Sequence, residues 1–151
     1  MYLEDQMTSP ALNHVIVLSN DQKNASQFLV DIFGLPGTYR FSHFDVVTIG
    51  GISFDYAKSR GPVQRQHFAF LVSEEEFDEI FARIKERSVP YWADPKREKP
   101  NEICYDDGGR GIYFADPSDH NFEIITRPYS RDDAMRTRNA AASAERDAAG
   151  G

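Results

Sequence analysis

Two stretches of this chain repeat one pattern of apolar and polar positions. His14-Val-Ile-Val-Leu-Ser19 and His67-Phe-Ala-Phe-Leu-Val-Ser73 each open on a histidine, run through apolar and β-branched or aromatic residues, and end at a serine before a polar helix start. Repetition of this kind predicts two copies of one supersecondary unit. Beyond Ser19 and Asn20, Ala25, Phe28, Leu29, Ile32 and Phe33 recur at helical spacing, and Gly34 supplies a C-terminal stop. Beyond Ser73 the stripe returns as Phe77, Ile80, Phe81 and Ile84. Glu76, three residues past Ser73, predicts a capping box, and Arg83, Lys85 and Arg87 suit the negative end of the helix.

Each helix is followed by further strand candidates. In the first half these are Tyr39 to Phe44, Asp45 to Ile49 and, after the turn at Gly50-Gly51, Ile52 to Ala57. In the second half they are Val89 to Trp92, Glu102 to Tyr105, Ile112 to Ala115 and Phe122 to Thr126, rich in aromatic and β-branched residues. The pattern therefore predicts an α+β protein of two βαβββ modules, about residues 11–60 and 64–127, within a single domain spanning 1–129. From Ser130 the sequence turns to Arg, Asp and Ala without an aromatic residue, and a mobile tail is expected over 130–151.

A formal net charge of −7 argues against a nucleic-acid partner, because phosphate binding calls for a basic surface. No apolar run approaches the ~18 residues a membrane-spanning helix needs. The single cysteine, Cys104, has no internal partner for a disulfide, and the N-terminus lacks the basic and apolar regions of a secretory signal. A cytoplasmic setting is expected.

The chemistry-bearing residues lie on the repeats. His14 and His67 occupy equivalent positions, and Glu123 stands between Phe122 and Ile124, so on a strand it projects opposite its apolar neighbours. Each alone suits a structural role, such as a core histidine or a solvated carboxylate. Together they form the two-histidine, one-carboxylate set with which divalent transition metals are held while coordination positions stay open. Tyr113 is either a substrate contact or an aromatic packed beneath a hairpin. Arg110, in a glycine-rich loop, is either a clamp for a carboxylate or phosphonate or a solvated loop arginine. Cys104, between Ile103 and Tyr105, reads as a small apolar residue, and His120 after Asp116-Pro117-Ser118-Asp119 reads as part of a turn.

Three motifs, Leu12-Asn13-His14-Val15, Gln66-His67-Phe68-Ala69-Phe70 and the run from Ile112 through Asp116-Pro117 to Glu123, resemble the vicinal oxygen chelate superfamily over roughly Leu12 to Arg127. That superfamily contains glyoxalase I, fosfomycin-modifying transferases, extradiol dioxygenases and bleomycin-binding proteins. The resemblance implies paired modules forming an open, curved, cup-shaped mixed sheet with helices on its convex side. It implies one divalent metal (Fe, Mn, Ni or Zn) per site on His14, His67 and Glu123, with Asp55 as the fourth equivalent position. It also implies a homodimer in which His14 and His67 of one cavity come from different chains.

The expected activity is electrophilic catalysis on a small substrate with adjacent oxygens, by isomerisation, lyase chemistry or thiol addition, with Glu123, Tyr113 and Asp55 as catalytic groups and Tyr113 and Arg110 as substrate contacts. The alternatives are an Fe(II)-dependent extradiol-type dioxygenase and a non-catalytic drug-binding protein. The chain departs from the fosfomycin branch at Ile16, where that branch carries threonine. It departs from the dioxygenase branch at Cys104, Tyr105 and Asp106, where a histidine is usual. In related proteins a glycine follows the Asp-Pro turn by two residues, where this chain has Asp119.

Overall fold

The computed structural model describes residues 9–106, 108–128 and 145–149. Most of the expected tail lies outside the described residues, and 145–149 form a short helical segment. Two four-stranded mixed sheets, both open, make up the body of the chain. The first module runs β1 (His14–Ser19), α1 (Gln22–Phe33), β2 (Tyr39–Phe41), β3 (Phe44–Ile49) and β4 (Ile52–Lys58). The second runs β5 (His67–Leu71), α2 (Glu74–Glu86), β6 (Tyr91–Trp92), β7 (Gly111–Ala115) and β8 (Asn121–Ile125). The strand orders are β1-β4-β3-β2 and β5-β8-β7-β6, the same topology twice.

In both sheets the first strand of the module lies at an edge and pairs in parallel with the last. The histidines that open β1 and β5 are therefore carried on edge strands, whose outer backbone groups have no neighbour within their own sheet.

The helices follow their sequence signals. Asp21 caps α1 by accepting from the Asn24 amide, and Gly34 ends it in the left-handed conformation at φ 66°. In α2, Ser73 accepts from the Glu76 amide while Glu76 accepts from the Ser73 amide, both at 3.1 Å, completing the capping box.

Alternation along the strands directs Val15, Val17, Phe54, Tyr56, Phe68, Phe70, Phe114 and Phe122 to one shared core with α1 and α2. Phe28 and Phe33 of α1 reach sheet two, with Phe33 and Phe70 ring centroids 4.6 Å apart. Phe54 of sheet one meets Phe68 of sheet two at 4.9 Å. Both sheets thus turn their inner faces to one core, and their opposite faces look away from it.

Three strand expectations change. Ser42, at φ 54°, makes a turn that separates β2 from β3. The strand expected from Val89 begins at Tyr91, because the Val89 amide is held by the Ile84 carbonyl at the end of α2. Glu102 to Tyr105 contributes only an isolated bridge, Cys104 to Gly111. Asp119 takes the left-handed conformation that glycine usually supplies, at φ 65°, with its carboxylate held by Arg97 at 2.7 Å and by Arg65.

Candidate metal centre

Parallel pairing in the second module sets His67 opposite Asn121 and Ala69 opposite Glu123, and antiparallel pairing sets Glu123 opposite Tyr113. A side-chain period of two puts His67, Glu123 and Tyr113 on one face, the face turned from the core. His67 Nε2 lies 2.9 Å from Glu123 Oε2, and the His67 and Tyr113 rings are 6.1 Å apart. Glu123 is only 3% exposed. A carboxylate so withdrawn from water needs a strong partner, either a donor or a cation.

The first module repeats this arrangement in register. His14 pairs with Ser53 and Ile16 with Asp55, as His67 pairs with Asn121 and Ala69 with Glu123. Asp55 is therefore the positional counterpart of Glu123. Its Oδ1 accepts from Ser53 Oγ at 2.9 Å. Exposed His14 carries its Nδ1 2.7 Å from Asn13 Oδ1. An amide oxygen only accepts, so in the neutral ring this contact puts the proton on Nδ1 and leaves the Nε2 lone pair for a ligand or metal. The role of Asn13 in fixing that tautomer was not singled out in the sequence, although Asn13 directly precedes the histidine.

One chain does not bring the two histidines together. They lie on faces of different sheets, both turned from the shared core, and among the described residues no group of three or more His, Cys, Asp or Glu side chains is placed to hold a metal. Tyr113, Glu123 and Ile125 instead line a cavity of about 200 Å³ that continues past Gly111 and Cys104 to the loop carrying Asp94 and Lys99.

Arg110 borders this cavity, but its guanidinium serves α2. Its Nε donates to Glu74 and its Nη1 to Asp78, both at 2.8 Å, and the group lies 4.2 Å from the Phe77 ring centroid. Hydrogen bonds from Thr126 and Arg110 hold the Glu74 carboxyl below its ordinary range, so a substrate anion would compete with an ionised Glu74 and with Asp78 for Arg110.

His120 is the functional-looking residue whose place the sequence did not reveal. It is 1% exposed, with Nδ1 accepting from the Gln66 amide at 3.0 Å and Nε2 donating to the Leu18 carbonyl at 2.8 Å. It thus ties the β7–β8 turn to the end of β1 and the approach to β5. Ser118 adds a 2.6 Å hydroxyl contact to Ser19. Asp116 Oδ1 accepts from the Ser118 and His120 amides, while Asp116 Oδ2 and the Tyr56 hydroxyl are buried with no hydrogen-bond partner among the described residues. Burial pushes the Asp116 carboxyl above its ordinary range, and burial reinforced by the Asp116 charge pushes up the Tyr56 phenol.

Comparison with known proteins places this geometry. The structure of oxidase ChaP-H2 is 51% identical in sequence, with a TM-score of 0.79, over 82% of this chain and 98% of that one. A glutamate-to-glutamine variant of the fosfomycin resistance protein FosX from Listeria monocytogenes, complexed with Mn(II) and a dihydroxypropylphosphonic acid, is 26% identical with a TM-score of 0.61, over 80% of this chain and 95% of that one. The glutathione transferase FosA of Serratia marcescens is 28% identical over 76% of this chain and 79% of its own. Residues 11–124 match the family profile as a whole, and the chain belongs to the Glyoxalase/Bleomycin resistance protein/Dioxygenase superfamily.

Proposed function

We propose that this chain is a metal-dependent, oxygen-using enzyme acting on an oxygen-rich aromatic substrate, and that its site is completed between two copies. The observation that carries the metal reading is the pairing of His67 and Glu123 on an outward face, with a second histidine, His14, at the same register of the first module. Neutral imidazole nitrogens and a carboxylate suit a divalent first-row metal in kind. The metal-bound FosX relative supports that reading. His14 from one copy would join His67 and Glu123 from the other. Exposed Leu12, Ile16, Leu18 and Leu71 beside the two edge strands give a second copy apolar surface to cover.

Likeness to an oxidase over nearly its whole length favours oxidation over thiol addition, and Fe(II) is the ion proposed. Bound there, the ion would supply positive charge and open positions to two adjacent substrate oxygens. The chain's own residues would do the rest. Outward positions on the first sheet carry Ile16, Leu18, Tyr39, Phe41 and Phe44, and those on the second carry Leu71, Trp92 and Tyr113. Among the described residues no outward strand position carries lysine or arginine; the cations that border the cavity, Lys99, Arg110 and Arg127, come from outside the strands, and Arg110 is already paired with Glu74 and Asp78. Such strand walls suit a flat aromatic ring. Tyr113 would orient the ring beside Glu123, and Asp55, held by Ser53, would accept a proton from the substrate.

The test is oxygen uptake by protein loaded anaerobically with Fe(II) and mixed with catechol. Metal-dependent uptake, abolished in His67→Ala, is expected. Absence of uptake, with loss of fosfomycin in the presence of Mn(II) and glutathione, would replace this reading with the thiol-transferase chemistry of the FosA relative.

A further inference from the structure

Gly111 opens β7 on the same face as Tyr113 and stands opposite Ile125, two positions beyond Glu123 on β8. Cys104 faces it across the isolated bridge, with both backbone hydrogen bonds at 2.8 Å. All five residues line the same cavity of about 200 Å³. Gly111 is not there for backbone freedom, since its φ lies outside the left-handed region. Nor is it there for close packing. A Cβ at this position would meet its nearest atoms, the Ile124 carbonyl and the Ile125 methyl, at 3.4 Å, and Cys104 Cβ at 4.0 Å, all ordinary contacts. Gly109 differs, because a Cβ there would lie 2.6 Å from Thr126 Oγ1. What a side chain at 111 would take is room in the cavity.

We infer that Gly111 determines substrate size: its missing side chain opens a subsite, bounded by Cys104 and Ile125, for the part of the substrate that projects past Tyr113 away from His67 and Glu123. Two residues of strand place Gly111 about 7 Å beyond Tyr113, enough for a further ring. The walls nearest Gly111 are a thiol-bearing side chain and an aliphatic one, and polar groups of Asp94 and Lys99 lie at the loop side of the cavity. The subsite thus takes an aromatic body with a hydrogen-bonding group at its distal end. This rests on the metal reading proposed above.

The experiment compares binding of catechol and 2,3-dihydroxynaphthalene to Fe(II)-loaded protein without oxygen, in wild type, Gly111→Ala and Gly111→Leu. Metal content and thermal midpoint are recorded for each. In Gly111→Leu the naphthalene diol should weaken by about tenfold or more, as overfilling a packed space does, while catechol changes less than about twofold. Gly111→Ala should show the same selectivity at smaller size, and it serves if the leucine variant fails to fold. Equal change in both ligands, or none, with metal content intact, overturns the size-determining role alone. Failure of wild type to hold iron or either diol overturns the metal reading and the subsite with it.

Discussion

Asp116 carries a charge where the fold offers it little solvation. Its Oδ1 is used by two turn amides, but Oδ2 lies buried near the Tyr56 phenol with no hydrogen-bond partner among the described residues, and burial raises the carboxyl's pKa above its ordinary 3.8. A group with a raised folded pKa binds more protons folded than unfolded, so its contribution to stability falls as pH climbs from the unfolded value through the folded one. Asp116→Asn keeps an oxygen acceptor for the turn and removes the charge. Its stability relative to wild type should rise with pH above about 3.8 and then level off once the folded-state carboxyl is ionised. Urea unfolding at a series of pH values checks this, and a flat difference would show that Asp116 is not the group responsible. On the metal side, Asn13→Ala should weaken metal binding about tenfold, because a partner that fixes a ligand's tautomer is worth that much. Titration with Fe(II) or Mn(II) reads it directly.

At the scale of elements, what local order determines was legible and what packing determines was not. Both helices and the outward placing of Glu123 follow from periods of 3.6 and 2 that the residues carry themselves, and the Ser73–Glu76 capping box and the Gly34 stop follow from local residue type, whereas the Asp21 cap and the side on which Tyr113 lies did not stand out. The failed strand at Glu102 to Tyr105 has the right composition, but within it Cys104 alone makes a β-bridge. His120 looked like turn chemistry because Asp-Pro-Ser-Asp does make a turn; that the turn is pressed against β1 depends on residues about a hundred positions away. The same contact gives a prediction. His120→Ala would strand the Leu18 carbonyl and the Gln66 amide and leave a cavity between modules, costing about 3 kcal/mol. Thermal and denaturant unfolding measure it, and a loss below about 1 kcal/mol would mean that the clasp contributes little.

On the scale of the whole molecule, one chain carries two residue pairs at the same register, His14 with Asp55 and His67 with Glu123, on faces turned from a common core, and the proposed function makes each pair half of a site. The arrangement makes sense as half of a larger object. Each edge strand that presents a histidine also borders exposed apolar side chains, Ile16 and Leu18 on β1 and Leu71 on β5. A symmetric second copy would cover both edges and bring unlike half-sites together twice. The equivalence of the histidines was visible in the sequence. Their separation within one chain required the sheets.

Mixing two inactive variants measures that claim directly. His14→Ala and His67→Ala are each expected to lose metal. Unfolded together in equal amounts and refolded with Fe(II), they should regain about a quarter of the wild-type metal content, because half the dimers would be mixed and each would carry one intact site. No recovery, with mixed dimers shown to have formed, would place His14 and His67 of each site in one chain, and retention of full metal by either variant alone would remove that histidine from the site.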